Sequence, residues 1–281
     1  MVKIFIIFVF LELALFGCLW EDEAAMDIKT IILDLDGTVL RSDKSVSNQT
    51  ISVLKRCRKK GILVAVATAR SEKAAARYLD QLKPDAVISN GGALVRLGGL
   101  TIYESVMPAG TADALISELT QLPGYVEVTA ETSSGYFVSY STPSYGDYTH
   151  SVYHGFSKPL EQDVYKITVH LSKEDGLNEV VEKYPECGLV PFSDGVWYRF
   201  AGKHATKMNG IHRLADHCGF AISTVAAFGD DYNDEEMIRK CGVGIAMDNA
   251  IDSVKAAADH VCESNDNDGV AKWLEAYLFR G

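Results

Sequence analysis

Short, unbroken apolar runs near both ends of the chain restrict its fold more than any other feature. Residues 30–35, 62–67 and 86–89 are rich in Val, Ile, Leu and Ala without polar alternation, and amphipathic stretches at 46–60 and 72–82 separate them. A strand that is apolar on successive residues is covered on both faces, as in a parallel sheet flanked by helices. Serines at 47 and 71 supply helix starts, and Lys59-Lys60-Gly61 supplies a basic last turn with a glycine stop. The rhythm returns late in the chain, with helices expected at 206–218, 234–240, 250–258 and 269–278 and strands at 224–228, 243–246 and 260–262. Both ends therefore build one α/β, doubly wound, Rossmann-like parallel sheet.

The middle reads differently. Runs at 94–97 and 100–105 around Gly98-Gly99 suggest a hairpin, and 136–140, 165–171 and 196–200 alternate as strands of an antiparallel sheet with one exposed face. The expected organisation is a core of residues 26–91 and 201–281 with an inserted α+β cap at 92–200. Asn90-Gly91-Gly92 and Ala201-Gly202-Lys203 are the expected hinges.

A formal charge of −11 argues against nucleic acid as a partner, because phosphate backbones are bound by clustered Lys and Arg. The cysteines at 18, 57, 187, 218, 241 and 262 form no C-x-x-C pair, which fits free thiols in a reducing compartment and makes the cytoplasm the expected location. An apolar run at 4–20 resembles a signal segment or short anchor. Glu12 interrupts it, and Met26 offers a start just before the first core strand, so residues 1–25 are read as a dispensable or mis-assigned extension. Export or membrane anchoring is the alternative, and a membrane is an expected partner only in that case.

Asp34 and Asp36 stand at the end of the first strand, where a period of two puts both carboxylates on one side and Gly37 lets the chain turn away. One carboxylate can attack phosphorus while the other protonates the leaving oxygen and later deprotonates water. Either aspartate alone could equally cap a turn. Thr68, closing the second strand, could hold a phosphoryl oxygen or merely start a helix. Lys207 sits in the first turn of a helix, a poor place for a cation unless an anion is near, though taken alone it reads first as an ordinary solvated lysine. The segment Gly229-Asp230-Asp231-Tyr232-Asn233-Asp234 clusters acids after an apolar strand, and a hard divalent cation relieves such crowding.

With these segments in this order, the chain from residue 28 to 278 resembles the haloacid dehalogenase (HAD) superfamily of phosphatases, in particular its Cof-type, subclass IIB branch. The resemblance implies Asp34 as a nucleophile forming an aspartyl-phosphate and Asp36 as general acid/base. It implies Thr68 and Lys207 as phosphoryl contacts, with Arg70, Asn90, Gly91 and Asn233 beside the substrate. Mg2+ would be held by Asp34, the Asp36 carbonyl and Asp230, with Asp234 in support. Many relatives have glycine where this chain has Ala69, which bears on pocket shape more than on the reacting groups. The expected substrate is a small phosphorylated metabolite, a sugar phosphate first, with flavin mononucleotide or pyridoxal phosphate close behind. A phosphomutase and a non-catalytic regulatory binder on the same fold are the alternatives. His150 and His154, four apart, lack a third metal ligand, and Tyr136, Tyr140, Tyr145, Tyr148 and Tyr153 are either a ring-stacking surface or ordinary packing.

Overall fold

The computed structural model describes residues 27–140, 151–192 and 194–279. The apolar run at 4–20 and residues Tyr145, Tyr148 and His150 lie outside them. The chain begins with β1 (Thr30–Leu33), α1 (Asn48–Lys59), β2 (Leu63–Ala67), α2 (Glu72–Leu82) and β3 (Ala86–Ser89), in the expected order. Ser47 and Ser71 cap the two helices, their hydroxyl oxygens accepting from the backbone N–H groups of Thr50 and Ala74.

A turn at Asn90–Gly92, with all three residues at positive φ, reverses the chain into β4 (Leu94–Leu97) and β5 (Leu100–Glu104). A Cβ on Gly92 would lie 2.0 Å from the Thr206 carbonyl oxygen, so only glycine allows that approach. β4 pairs antiparallel with β3, and β5 with β4. The hairpin expected in the middle unit therefore extends the main sheet. Its local pattern specifies two strands and a turn but not a neighbour, and the open edge of β3 supplies unpaired backbone groups for β4 to satisfy.

The chain then leaves the main sheet through α3 (Ala109–Leu119), β6 (Tyr125–Thr132), β7 (Tyr136–Val138), β8 (Ser151–Tyr153), β9 (Val164–Leu171), α4 (Leu177–Lys183), β10 (Cys187–Pro191) and β11 (Trp197–Gly202). These strands form a second sheet in the order β10-β11-β9-β6-β7-β8. Only its β7–β8 pair is parallel. The chain returns as α5 (Lys207–Cys218), β12 (Val225–Gly229), α6 (Glu235–Lys240), β13 (Val243–Met247), α7 (Asp252–Ala257), β14 (His260–Cys262) and α8 (Gly269–Leu278).

The main sheet runs β14-β13-β12-β1-β2-β3-β4-β5, parallel from β14 through β3. Because β1 lies between β2 and β12, the strand order reverses there, and ligands of such sheets bind at the carboxyl ends beside that reversal. Ile31, Ile32, Leu33, Val66, Phe228 and Ile245 are fully buried in the core beneath it. The second sheet has a core of its own on one face, where Val128, Ala130, Ile167, Val169 and Phe200 cluster with Leu115, Ile116 and Leu119 of α3. By the period of two, Glu127, Thr129, Glu131, Lys166, Thr168 and His170 take the opposite face. Among the described residues, no helix is long and apolar enough to cross a membrane.

Candidate active site

Asp34 follows directly on β1 and stays in register through its N–H, which donates to the Phe228 carbonyl of β12 at 3.1 Å. Three residues after Asp34 the chain turns at Gly37, with φ of 76°. A Cβ there would stand 2.1 Å from Asp230 Oδ2, so the glycine lets the carboxylate that follows β12 approach this turn. Thr38 Oγ1 fixes that carboxylate by donating to Asp230 Oδ1 at 2.8 Å.

Asp234 precedes α6, and its Oδ2 accepts the N–H groups of Asp230 at 3.0 Å and Asp231 at 3.2 Å. Its Oδ1 accepts from Lys207 Nζ at 2.6 Å, and Asp34 Oδ1 accepts from the same nitrogen at 2.6 Å. Lys207 is only 3% exposed, so the cation at the start of α5 finds its anions in the sheet crevice. Burial works against its charge, but Asp234 and Asp34 outweigh that and raise its pKa. Burial pushes Asp34 well above the usual carboxylate range, opposed by Lys207 and reinforced by Asp234 and Asp230. Burial, with repulsion from Asp234, takes Asp230 up to about 7.

Asp34, Asp230 and Asp234 each offer an oxygen within 4.8 Å of the others. Three acids face one lysine there, and an all-oxygen donor set suits a hard divalent cation, so the residues fit a metal site.

Thr68, fully buried at the end of β2, aligns its N–H on the Ile88 carbonyl at 2.8 Å and accepts the Arg70 N–H on Oγ1 at 3.1 Å. Arg70 grips Asp36 with two bonds, Nε to Oδ2 at 2.6 Å and Nη2 to Oδ1 at 2.8 Å, while Lys44 Nζ adds a third at 2.9 Å. Partial burial opposes ionisation of Asp36, but the Arg70 and Lys44 contacts prevail and hold its pKa at about 2.

A cavity of about 390 Å³ brings Asp34, Asp36, Thr68, Arg70, Lys207, Asp230, Asn233 and Asp234 together. Asn90 and Gly91 are not among its walls. Their N–H groups donate to the carbonyls of Arg70 and Thr68, so they shape the turn behind Thr68. Asn90 lines a second cavity of about 320 Å³, which shares Ser71, Glu131 and Tyr136 with the first. Arg199 fills the space over Gly91, where a Cβ would meet its Nη1 at 1.3 Å. That guanidinium is buried, and desolvation lowers its pKa to about 10.

The wall opposite the carboxylates belongs to the second sheet. Thr129, Glu131, Tyr136, Lys166, Thr168 and Trp197 face the cavity, and sequence reasoning singled out only Tyr136 among them. The signal was present in the alternation of polar with apolar residues along 126–132 and 164–171. Tyr140 is part-buried against Thr129, and Tyr153 is exposed. His154 follows a strand and packs edge-on against Phe137 and Phe156 instead of sharing a helix face.

An open parallel sheet with a crowded carboxylate centre at its reversal point, roofed by an antiparallel sheet from an insertion, defines a hydrolase of the HAD type with a subclass IIB fold. The chain belongs to the haloacid dehalogenase-like hydrolase family, which it matches over residues 31–274. It is 27% identical over 264 residues to the 5-amino-6-(5-phospho-D-ribitylamino)uracil phosphatase YitU of Bacillus subtilis (strain 168), covering 88% of this chain and 97% of that protein. Its structure is similar to that of the HAD subclass IIB sugar phosphatase BT4131, with TM-score 0.77, 25% identity, and 89% and 99% of the two chains covered. The phosphatase BT1666 from Bacteroides thetaiotaomicron is similar at TM-score 0.78 and 26% identity, over 93% and 99% of the chains.

Proposed function

We propose that this chain is a magnesium-dependent phosphatase of small phosphorylated metabolites that works through an aspartyl-phosphate on Asp34. The observation that carries the reading is the triangle of Asp34, Asp230 and Asp234, with Lys207 bonded to Asp34 and Asp234. Asp34, the Asp36 carbonyl and Asp230 would hold Mg2+, which would neutralise the phosphoryl oxygens and the acids around them. Both oxygens of Asp234 are already engaged, so its part is to orient Lys207 and the backbone at 230–231.

A carboxylate oxygen of Asp34 attacks phosphorus, the ester oxygen departs and takes a proton from Asp36, and the phosphoryl group remains on Asp34. Water then attacks that phosphorus as Asp36 removes its proton, releasing phosphate and restoring the Asp34 carboxylate. Lys207 and Thr68 provide donors for the phosphoryl oxygens. With its pKa near 2, Asp36 is ionised, the form required to deprotonate water. Acting as an acid requires its pairing with Arg70 to open. The names of the relatives support a sugar phosphate or a ribityl-bearing phosphate as the substrate class.

Phosphate release by the purified chain with Mg2+, over a panel of phosphorylated metabolites, tests the reading. Release without isomer formation is expected, silenced by EDTA. Asp34→Asn should lower kcat by at least about 10³-fold with the fold retained. Near-normal turnover by that variant would overturn the nucleophile assignment.

A further inference from the structure

Two cross-strand pairs stand side by side on the cavity face of the second sheet. Thr129 lies opposite Thr168, and Glu131 opposite Lys166, in the β6–β9 register, and all four line the cavity that holds Asp34. Lys166 Nζ is 3.1 Å from Glu131 Oε2, with both side chains largely buried. The ammonium directs its hydrogen bond to the Ala69 carbonyl, so its contact with Glu131 Oε2 is an ion pair outside hydrogen-bond geometry and leaves that oxygen able to accept one. Tyr136 bonds to Ser71, and burial with the nearby Glu131 carboxylate raises its pKa.

A buried carboxylate oxygen with an unfilled acceptor position costs free energy, and apolar residues would stabilise the sheet at least as well as this ion pair does. The arrangement makes sense if a ligand completes it. An acceptor and a donor 3.1 Å apart match a group that both gives and takes a hydrogen bond, which is a hydroxyl. A second phosphate or a carboxylate would find the Lys166 charge already neutralised by Glu131, and an apolar group would leave both charges desolvated. The two threonine hydroxyls repeat the give-and-take chemistry about 7 Å further along the strands.

We propose that Glu131 and Lys166, extended by Thr129 and Thr168, form a subsite that reads hydroxyl groups on the leaving group. It selects polyhydroxylated monophosphates and rejects those carrying a second anion. The inference rests on the phosphatase reading for which part of the substrate is the leaving group.

The test is the ratio of kcat/KM for ribose 5-phosphate to that for phenyl phosphate, which lacks hydroxyls, in the full chain with Mg2+. Glu131→Gln should lower this ratio about 10- to 100-fold, and Thr168→Val, which leaves the ion pair intact, about 3- to 10-fold. A purely structural role would depress both substrates together, so ratios within about twofold of wild type in both variants overturn the proposal. If the wild-type chain releases phosphate from neither compound, the phosphatase reading fails instead. The subsite is then judged by the calorimetric Kd ratio of the same two ligands, which must shift in the variants by similar factors for the proposal to stand.

Discussion

Lys207→Met removes the positive charge between Asp34 and Asp234 while keeping most of the side-chain volume. Both carboxylates lose a partner at 2.6 Å, and Asp230 stands within 4.8 Å of them. A buried carboxylate stripped of its cation stays ionised only at a cost of several kcal/mol, so it takes up a proton where that is cheaper. From the ordinary value of 3.8, proton uptake costs about 5 kcal/mol at pH 7.5 and about 1.6 kcal/mol at pH 5. Wild-type Asp34 already carries part of that cost, so the expected loss of stability in metal-free protein is up to about 5 kcal/mol at pH 7.5, narrowing to no more than about 1.6 kcal/mol at pH 5. Lys207 itself adds no pH dependence in this window, because a raised lysine pKa gives a contribution that is lost only as pH rises through the elevated folded value. Urea unfolding followed by circular dichroism in EDTA, at the two pH values, measures both differences. Equal losses at the two pH values, or a loss below about 1 kcal/mol at pH 7.5, would refute the assignment of Lys207 as the neutralising charge.

The raised folded pKa of Asp230, about 7 against 3.8, makes metal-free stability fall as pH rises across that interval. A cation binding the ionised form should relieve the penalty, so Mg2+ should raise Tm more at pH 8 than at pH 5.5, and equal shifts would contradict the site. Arg70→Met frees Asp36 from its bidentate partner, so the acid limb of the pH–rate profile should move upward from the region near 2, as a pH series of phosphate release will show. Gly37→Ala places a Cβ 2.1 Å from Asp230 Oδ2 at a left-handed φ. It should raise the Mg2+ concentration for half-maximal activity about tenfold or more, and an unchanged Mg2+ requirement would show that Asp230 needs no such clearance.

Much of the main sheet was legible because its strands are buried on both faces and carry an unbroken apolar signature, and the observed bounds differ from the expected ones by only a residue or two at most ends. Asp34 was legible as an acid at a strand end. The odd placement of Lys207 at a helix start was itself a clue, since the anions that stabilise it are supplied by β1 and by the segment before α6. What local pattern could not convey was partnership. Residues 94–105 read as a hairpin whichever sheet receives them, and pairing with the edge of β3 decided the matter. The resemblance places Asn90 beside the substrate; in the structure it lines the smaller cavity, which adjoins the first through Ser71, Glu131 and Tyr136. Glu131 and Lys166 alternate with apolar residues as any half-buried strand does, and only the stacking of one sheet over the other makes their face a wall of the site.

That alternation also separates two kinds of change. Val128, Ala130, Ile167 and Val169 hold the second sheet to its helices, while Thr129, Glu131, Lys166 and Thr168 take no part in that packing. A cross-strand pair replaced together on the cavity face alters which molecules fit without disturbing the apolar layer behind it. In a lineage of such chains, the shape and polarity of that wall can drift by paired substitutions while the carboxylate centre around Asp34 stays fixed.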